Sequence, residues 1–293
     1  MSVAIIINPI SGGARPETAA ARADLARRVI ERHGDRPEIF VTKRSGHARD
    51  LARAAVARGM RLVMAWGGDG TINEIASVLA FGDVPLAIVP AGSGNGLATE
   101  LGISRRPERA IADALASRPR LIDVGEIDGR LFVNLAGIGL DAYVAAQFNA
   151  GGNPRRGFAG YVRLAGRALR TYTPQRYRIT TPTQQLEAQA LTVTIANAPQ
   201  WGNGARIAPG ARVDDGLVDL VVIEERSRFR TVCQLPRLFN GTVGRIQGCT
   251  ISRVTQATVE CKEPMMFHVD GEPVEGGTTL RARVHPGALL VCA

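Results

Sequence analysis

The chain has 293 residues, 45 % of them hydrophobic, which is enough for one large domain or two ordinary ones around a buried core. Its 36 basic residues exceed the 27 acidic ones by +9, and all but Lys43 and Lys262 are Arg, a surplus that suits an anionic partner such as a nucleotide or an anionic lipid surface. Aromatic residues make up only 5 % and do not alternate with basic runs, which excludes stacking on single-stranded nucleic acid as the expected use of that charge.

Residues 3–9, VAIIINP, form a β-branched run typical of a strand buried on both faces, and the segment before them lacks the basic leader of a signal peptide. Residues 17–34 have helical spacing and end at a glycine. Then follow a strand (38–43), a helix (47–59), a strand (61–66), a helix (71–82), a strand (86–90) and a short helix (95–103). This alternation predicts a doubly wound parallel sheet with helices on both faces.

Past Asp123 the pattern changes. Residues 121–139 alternate around Asp128-Gly129, a strong hairpin signal, and short strands separated by turn residues continue to the C-terminus. The expectation is an antiparallel β-sandwich or barrel. One basic amphipathic helix is expected at 155–172, with Phe158, Tyr161, Ala165, Ala168 and Tyr172 as its stripe and Arg163, Arg167 and Arg170 elsewhere on it. The predicted domains are 1–123 and 124–293, with the last strand free to return to the first domain. Cys233, Cys249, Cys261 and Cys292 form no CxxC pair and have no matching His spacing, so free thiols in a reducing cytoplasm are expected, without zinc. No apolar run is long enough to span a bilayer, so any membrane contact is expected to be peripheral.

Three glycine loops carry the chemistry. GGDGT (67–71) sits between a strand and a helix, and Thr71 with Glu74 matches a T-x-x-E capping box. The helix N-terminus it opens favours an anion. An acid at position 69 would repel a bare phosphate. Asp69 is therefore either a contact to Mg²⁺ or an attacking hydroxyl, or a turn and cap residue. AIVPAGSGNGLATELGI (87–103) repeats the strand–glycine–helix order, and INPISGG (7–13) is the third loop. All are expected at the C-terminal ends of parallel strands, where open α/β sheets bind ligands. There is no GxxxxGK[ST], HExxH or G-x-S-x-G stretch, so a phosphate site would rest on backbone, Mg²⁺ and short polar side chains.

As a set, NPISGG (8–13), GGDGTINEI (67–75), PAGSGNGLA (90–98), VDDGLVDLVVI (213–223) and VDGEPV (269–274) resemble the diacylglycerol kinase catalytic domain family, which includes bacterial lipid kinases and sphingosine kinases. The resemblance spans nearly the whole chain in family order. It implies transfer of the ATP γ-phosphate to a lipid hydroxyl, diacylglycerol or a sphingoid lipid. It also implies an ATP-binding α/β domain and a β-sandwich lipid-substrate domain. By position it makes Asn8, Pro9, Ile10, Ser11, Gly12, Thr42, Gly68, Asp69, Gly70, Thr71, Ile72, Asn73, Glu74 and Ser93 the nucleotide contacts. Glu272 would be the general base and Asp69 would act at the transferring phosphate. Asp215 with the carbonyls of Arg212 and Leu217 would hold Mg²⁺. Many bacterial members read PxGTxNDxAR; here Ser93 replaces Thr, Gly96 replaces Asp and Thr99 replaces Arg, and PAGSGN (90–95) is closer to the sphingosine-kinase version. The implied partners are ATP, a membrane lipid and an anionic membrane surface, with a homodimer left open. An NAD kinase shares the GGDG turn but would be expected to carry a TGSTAY-like stretch. A non-catalytic nucleotide- or lipid-binding regulator would not need both Asp69 and Glu272.

Overall fold

The computed structural model describes residues 1–13, 18–150, 158–226 and 233–293; the side chains of 150 and 158–162 are not described, so part of the expected 155–172 helix and its Phe158 and Tyr161 stripe lies outside the described residues. The chain divides into two units, Met1–Ile122 with Gly287–Ala293, and Asp123–Pro286.

In the first unit, β1 (Ser2–Ile7), β2 (Arg36–Val41), β3 (Leu62–Gly67) and β4 (Leu86–Pro90) pair in parallel in the order β4-β3-β1-β2. Val3 to Ile7 and Leu62 to Ala65 are wholly buried, as continuous apolar strands require when both faces are covered. Helices α1 (Thr18–Arg32) and α5 (Pro107–Ala116) cover one face through Ala26, Val29, Ile30, Ala110, Ile111 and Ala114. Helices α2 (His47–Ala57) and α3 (Asp69–Leu79) cover the other. A short α4 spans Gly96–Glu100. Helix α5, absent from the sequence reading, starts with Pro107 in its first turn, where a proline costs no hydrogen bond.

The second unit is antiparallel. Strands β5 (Arg120–Ile127) and β6 (Arg130–Phe132) form the hairpin expected at Asp128-Gly129, whose φ angles are 49° and 77°. The remaining strands are β7 (Leu135–Gly139), β8 (Gln175–Thr180), β9 (Gln185–Ala196), β10 (Gln200–Gly202), β11 (Ala205–Arg206), β12 (Val218–Glu224), β13 (Cys249–Val254), β14 (Gln256–Cys261), β15 (Met266–Val269), β16 (Glu272–Glu275) and β17 (Thr279–Cys292). They pair in the order β16-β15-β7-β9-β8-β14-β17, with β12 on β9 and β13 on β12, and with β10 paired to β11 apart from them. The end of β17 lies in the first unit, where Val291 and Cys292 pair in parallel with Leu86 and Ala87.

Strand β9 divides its length between β8 and β7, Gln185–Ala190 pairing with β8 and Thr192–Ala196 with β7, and it also pairs with β12. Its register with β12 slips between Thr192 and Ala190. The extra residue lets Ala188 and Ala190, then Val193 and Ile195, enter the same core. Among the described residues more than one helix interrupts the strands, where one was expected; a short one spans Pro236–Phe239. Besides α7 (Phe158–Thr171) there is α6 (Leu140–Ala150), and they meet through Tyr143 and Tyr172, whose ring centroids lie 5.6 Å apart. LDAYVAAQFNA carries apolar residues around more than one face, so its periodicity gives a weak amphipathic signal. Cys233, Cys249, Cys261 and Cys292 are all free thiols.

Gly125 lies across the hairpin from Phe132, and a Cβ there would sit 2.1 Å from the phenyl ring. Gly125→Ala is expected to cost about 1–3 kcal/mol of stability by overpacking. A urea midpoint equal to wild type would show that the ring has room to move.

Candidate functional site

The three glycine loops meet at the C-terminal ends of β1, β3 and β4. Asn8, the first residue past β1, donates from Nδ2 to Thr71 Oγ1 at 3.0 Å, joining the first loop to the second. The second and third loops touch through bare backbone. A Cβ on Gly92 would lie 2.6 Å from Gly68 Cα, so no larger residue fits at position 92 without a shift. Thr42 sits at the same end of β2, with its N–H bonded to the Ile7 carbonyl at 2.9 Å. Ser93 is exposed at the tip of the third loop.

Asp69 has a role the sequence left open. The Asn95 and Gly96 N–H groups donate to its Oδ2 and Oδ1 at 2.9 and 3.0 Å. The acid among the glycines is thus the anion bound at the start of α4, as expected where helix N–H groups lack partners. Asn95 has φ of 53° and folds the loop on itself, receiving the Gly92 N–H on Oδ1 at 2.8 Å.

The expected capping box does not form. Helix α3 starts at Asp69, and its N-cap, Gly68, makes no side-chain cap bond. Glu74 reaches instead to the neighbouring helix: Gly46 N–H donates to Oε1 at 2.8 Å and Arg49 N–H to Oε2 at 3.3 Å. Gly46, the N-cap of α2, has no side chain of its own to do this. Ile72 and Asn73 are buried on α3, and the Ile72 N–H closes the first helical turn on the Gly68 carbonyl.

Sequence reasoning missed Arg22. From α1 its Nη1 donates to the Asn8 carbonyl at 2.8 Å and to Ser11 Oγ at 2.9 Å, and Nη2 donates to the Ser11 carbonyl at 3.2 Å. Its guanidinium also lies 5.7 Å from the centroid of the Trp66 ring. Partial burial pulls its pKa below the usual arginine value. Among the described residues, these hydrogen-bond partners are oxygens without a full charge, so the first glycine loop wraps a cation. A phosphate is the natural complement. Alternation of apolar and polar residues along α1 gave no sign of this, because many arginines share that helix.

In the second unit, β15 and β16 form a hairpin across Asp270 and Gly271, with φ of 47° and 86°. Asp270 is buried. Val133, Asn134 and Leu135 N–H groups all donate to its carboxylate at 2.9 Å. Three charge-assisted bonds fix the VDGE turn to the start of β7, and this acid is an anchor. Glu272, next on the turn, is exposed.

The VDDGL turn holds Asp215 through the Leu217 N–H at 3.1 Å and an ion pair with Arg253. Gly216 N–H donates to Asp123 Oδ2 at 2.7 Å. Burial pushes the nearby Asp219 carboxyl up to about 6, against the pull of Arg253. Asp215 and the Arg212 and Leu217 carbonyls are hard oxygen donors that suit Mg²⁺. Among the described residues no cluster of three or more His, Cys, Asp or Glu side chains is arranged for a metal. An ion there would rest on one carboxylate plus backbone carbonyls.

Removing the Glu74 cap tests how the loops are held. Glu74→Ala is expected to lower stability by about 1 kcal/mol, the usual cost of a lost N-cap. An unchanged denaturation midpoint would mean that water replaces the carboxylate at α2 without loss.

Comparison with known proteins identifies the family. Residues 2–127 match the diacylglycerol kinase catalytic domain, and residues 134–293 match the YegS C-terminal NAD kinase beta sandwich-like domain. A Pseudomonas aeruginosa protein named "Probable lipid kinase YegS-like" is 36 % identical over 255 residues, covering 86 % of this chain and 83 % of that one. A Mycobacterium tuberculosis protein named "Diacylglycerol kinase" is 31 % identical over 266 residues, covering 88 % and 85 %. The crystal structure of a diacylglycerol kinase from Bacillus anthracis superposes with a TM-score of 0.74 over 99 % of this chain and 96 % of that one; at 20 % identity this speaks to the fold. The chain belongs to the diacylglycerol kinase catalytic domain family of lipid kinases.

Proposed function

We propose that this chain transfers the γ-phosphate of ATP to the hydroxyl of a lipid, diacylglycerol or a sphingoid lipid. The observation that carries the reading is the meeting of three glycine loops, Asn8–Gly12, Gly68–Thr71 and Gly92–Asn95, around the start of α3, with the Arg22 cation behind the first of them. Helix N-terminal N–H groups and a cation are what a polyphosphate requires. Thr42 and Ser93 complete the polar edge. The start of α3, through Ile72 and Asn73, is proposed to contact the nucleotide as well, and Glu74 holds α2 in place beside it.

Phosphoryl transfer asks little covalent chemistry of a protein; positioning and charge neutralisation dominate. Asp69 keeps the third loop closed on the second and stands beside the phosphates. Mg²⁺, when bound, would supply positive charge to the transferring group. Asp215 with the Arg212 and Leu217 carbonyls would hold a further, structural ion in the second unit. Glu272 is the group proposed to take the proton of the lipid hydroxyl. It sits on a turn whose neighbour, Asp270, is fixed by three hydrogen bonds, so its backbone is rigid while its side chain is exposed.

No helix among the described residues is long and apolar enough to cross a membrane. The proposed route to a membrane lipid is peripheral contact with an anionic surface through Arg163, Arg167 and Arg170, which are exposed on α7, in a cytoplasmic protein.

A mass-spectrometric scan of a total lipid extract after incubation with Mg²⁺ and ATP should reveal a phosphorylated lipid. In the same assay Glu272→Gln keeps size and turn but removes the carboxylate. Its kcat is expected to fall by about 10²–10⁴, the scale of a general base, with ATP affinity unchanged. Turnover within a few-fold of wild type would assign the base elsewhere.

A further inference from the structure

Behind the VDGE hairpin lies a buried pair of titratable groups that the phosphoryl-transfer scheme does not use. His268, on β15, is 4 % exposed, and Asp141, in the first turn of α6, is 6 % exposed. Asp141 Oδ2 stands 3.6 Å from His268 Nε2 and also accepts the Thr194 hydroxyl at 3.3 Å, while Oδ1 accepts the Ala142 N–H at 2.9 Å. The opposite ring nitrogen of His268 faces the turn: Gly271 N–H donates to Nδ1 at 3.3 Å. Since Nδ1 accepts, the proton of the neutral ring is on Nε2, pointing at the carboxylate. The carboxylate in turn favours that tautomer, because an N–H facing a carboxylate is preferred over a lone pair facing it.

The sheet makes room for this arrangement. Strand pairing puts His268 opposite Gly137. A Cβ at Gly137 would lie 1.9 Å from Asp141 Oδ2 and 2.7 Å from His268 Nε2. Only glycine lets α6 fold its first carboxylate over β7 onto the imidazole. The far end of α6 grips the same turn: Asn149 Nδ2 donates to the Gly271 carbonyl at 3.1 Å. Both the N–H and the C=O of Gly271, the residue before Glu272, are therefore held by one short helix, directly by Asn149 and through His268 by Asp141. A hairpin that served only to reverse the chain would need none of this, since its cross-strand bonds and the Asp270 anchor already close it.

We infer that Asp141 and His268 are positioning residues for phosphoryl transfer: the carboxylate fixes the imidazole tautomer, the imidazole accepts the Gly271 N–H, and the turn thereby aims Glu272. The inference rests on the lipid-kinase reading above for its kinetic consequence, though not for the structural brace itself.

Two substitutions separate the ring nitrogens. In His268→Asn the side-chain oxygen can stand where Nδ1 stood and accept the Gly271 N–H. In His268→Gln the amide reaches towards Asp141, where Nε2 stood, and leaves Gly271 without its acceptor. With Mg²⁺, ATP and either dioleoylglycerol or sphinganine in detergent micelles, kcat of His268→Gln is expected to fall by on the order of 10²-fold, the scale of a small misplacement of a reacting group. His268→Asn should stay within a few-fold of wild type, and KM for ATP should not move in either variant. In parallel, amide hydrogen exchange at Gly271 should be faster in His268→Gln than in wild type or His268→Asn. The imidazole ¹⁵N resonances should show Nε2 protonated in wild type and a mixture of tautomers in Asp141→Asn.

Full turnover in His268→Gln, or equal losses in both His268 variants that track a common fall in melting temperature, would overturn the positioning role. An unchanged tautomer in Asp141→Asn would remove Asp141 from it. If wild type phosphorylates no lipid, the lipid-kinase reading fails by itself, and Gly271 exchange decides the brace: slow in His268→Asn and fast in His268→Gln upholds it, and equal rates overturn it.

Discussion

A carboxylate that accepts N–H groups from a distant loop is the interaction on which both units of this protein depend. Asp69 receives Asn95 and Gly96, Glu74 receives Gly46 and Arg49, Asp123 receives Gly216, and Asp270 receives Val133, Asn134 and Leu135. A buried carboxylate without donors would be costly; with two or three N–H groups it becomes a rigid tie. Each tie also satisfies backbone donors that glycine-rich loops and helix starts would otherwise leave open. The loops can then be glycine-rich, and so able to approach a ligand closely, without being slack.

This has a consequence for charge at the glycine loops. Asp69 is an acid in a region proposed to bind a polyanion, yet its charge is spent on the N-terminal end of α4. Arg22 brings a cation to the first glycine loop, bonded to Asn8 and Ser11. The region thus presents backbone donors, a cation and one neutralised acid, a composition that can hold phosphates without a P-loop lysine. In the second unit the same division of labour appears at VDGE: Asp270 is the anchor and Glu272 is the exposed acid beside it.

The fold was legible because hydrophobic patterning decides it. Continuous apolar runs such as residues 3–7 announced buried parallel strands, and Asp128-Gly129 announced the hairpin that the φ angles bear out. Helix α6 was missed because its apolar residues are not confined to one stripe, and α5 because it follows a short loop rather than a strand. At the candidate site the motifs marked where the loops are but not what their acids do. The T-x-x-E pattern predicted a cap within α3, whereas Glu74 caps α2, 28 residues upstream in contact with Gly46. Local spacing cannot reveal a partner brought near only by the sheet. The same holds for Arg22, which is one arginine among many until α1 packs beside Asn8, and for His268, which reads as a strand residue until α6 folds Asp141 over Gly137.

Amide hydrogen exchange across the three glycine loops, with and without Mg²⁺ and ATP, tests this account most directly when wild type is compared with Asp69→Asn. The asparagine keeps the size but offers one acceptor and one donor where two acceptors are needed, so Asn95 and Gly96 cannot both be held. The account predicts that the Asn95 and Gly96 amides are slow to exchange in wild type and fast in the variant. It also predicts that nucleotide slows exchange jointly in residues 8–12, 68–71 and 92–96 of wild type but not of the variant. Unchanged Asn95 and Gly96 exchange in Asp69→Asn, with nucleotide protection retained in all three loops, would contradict it.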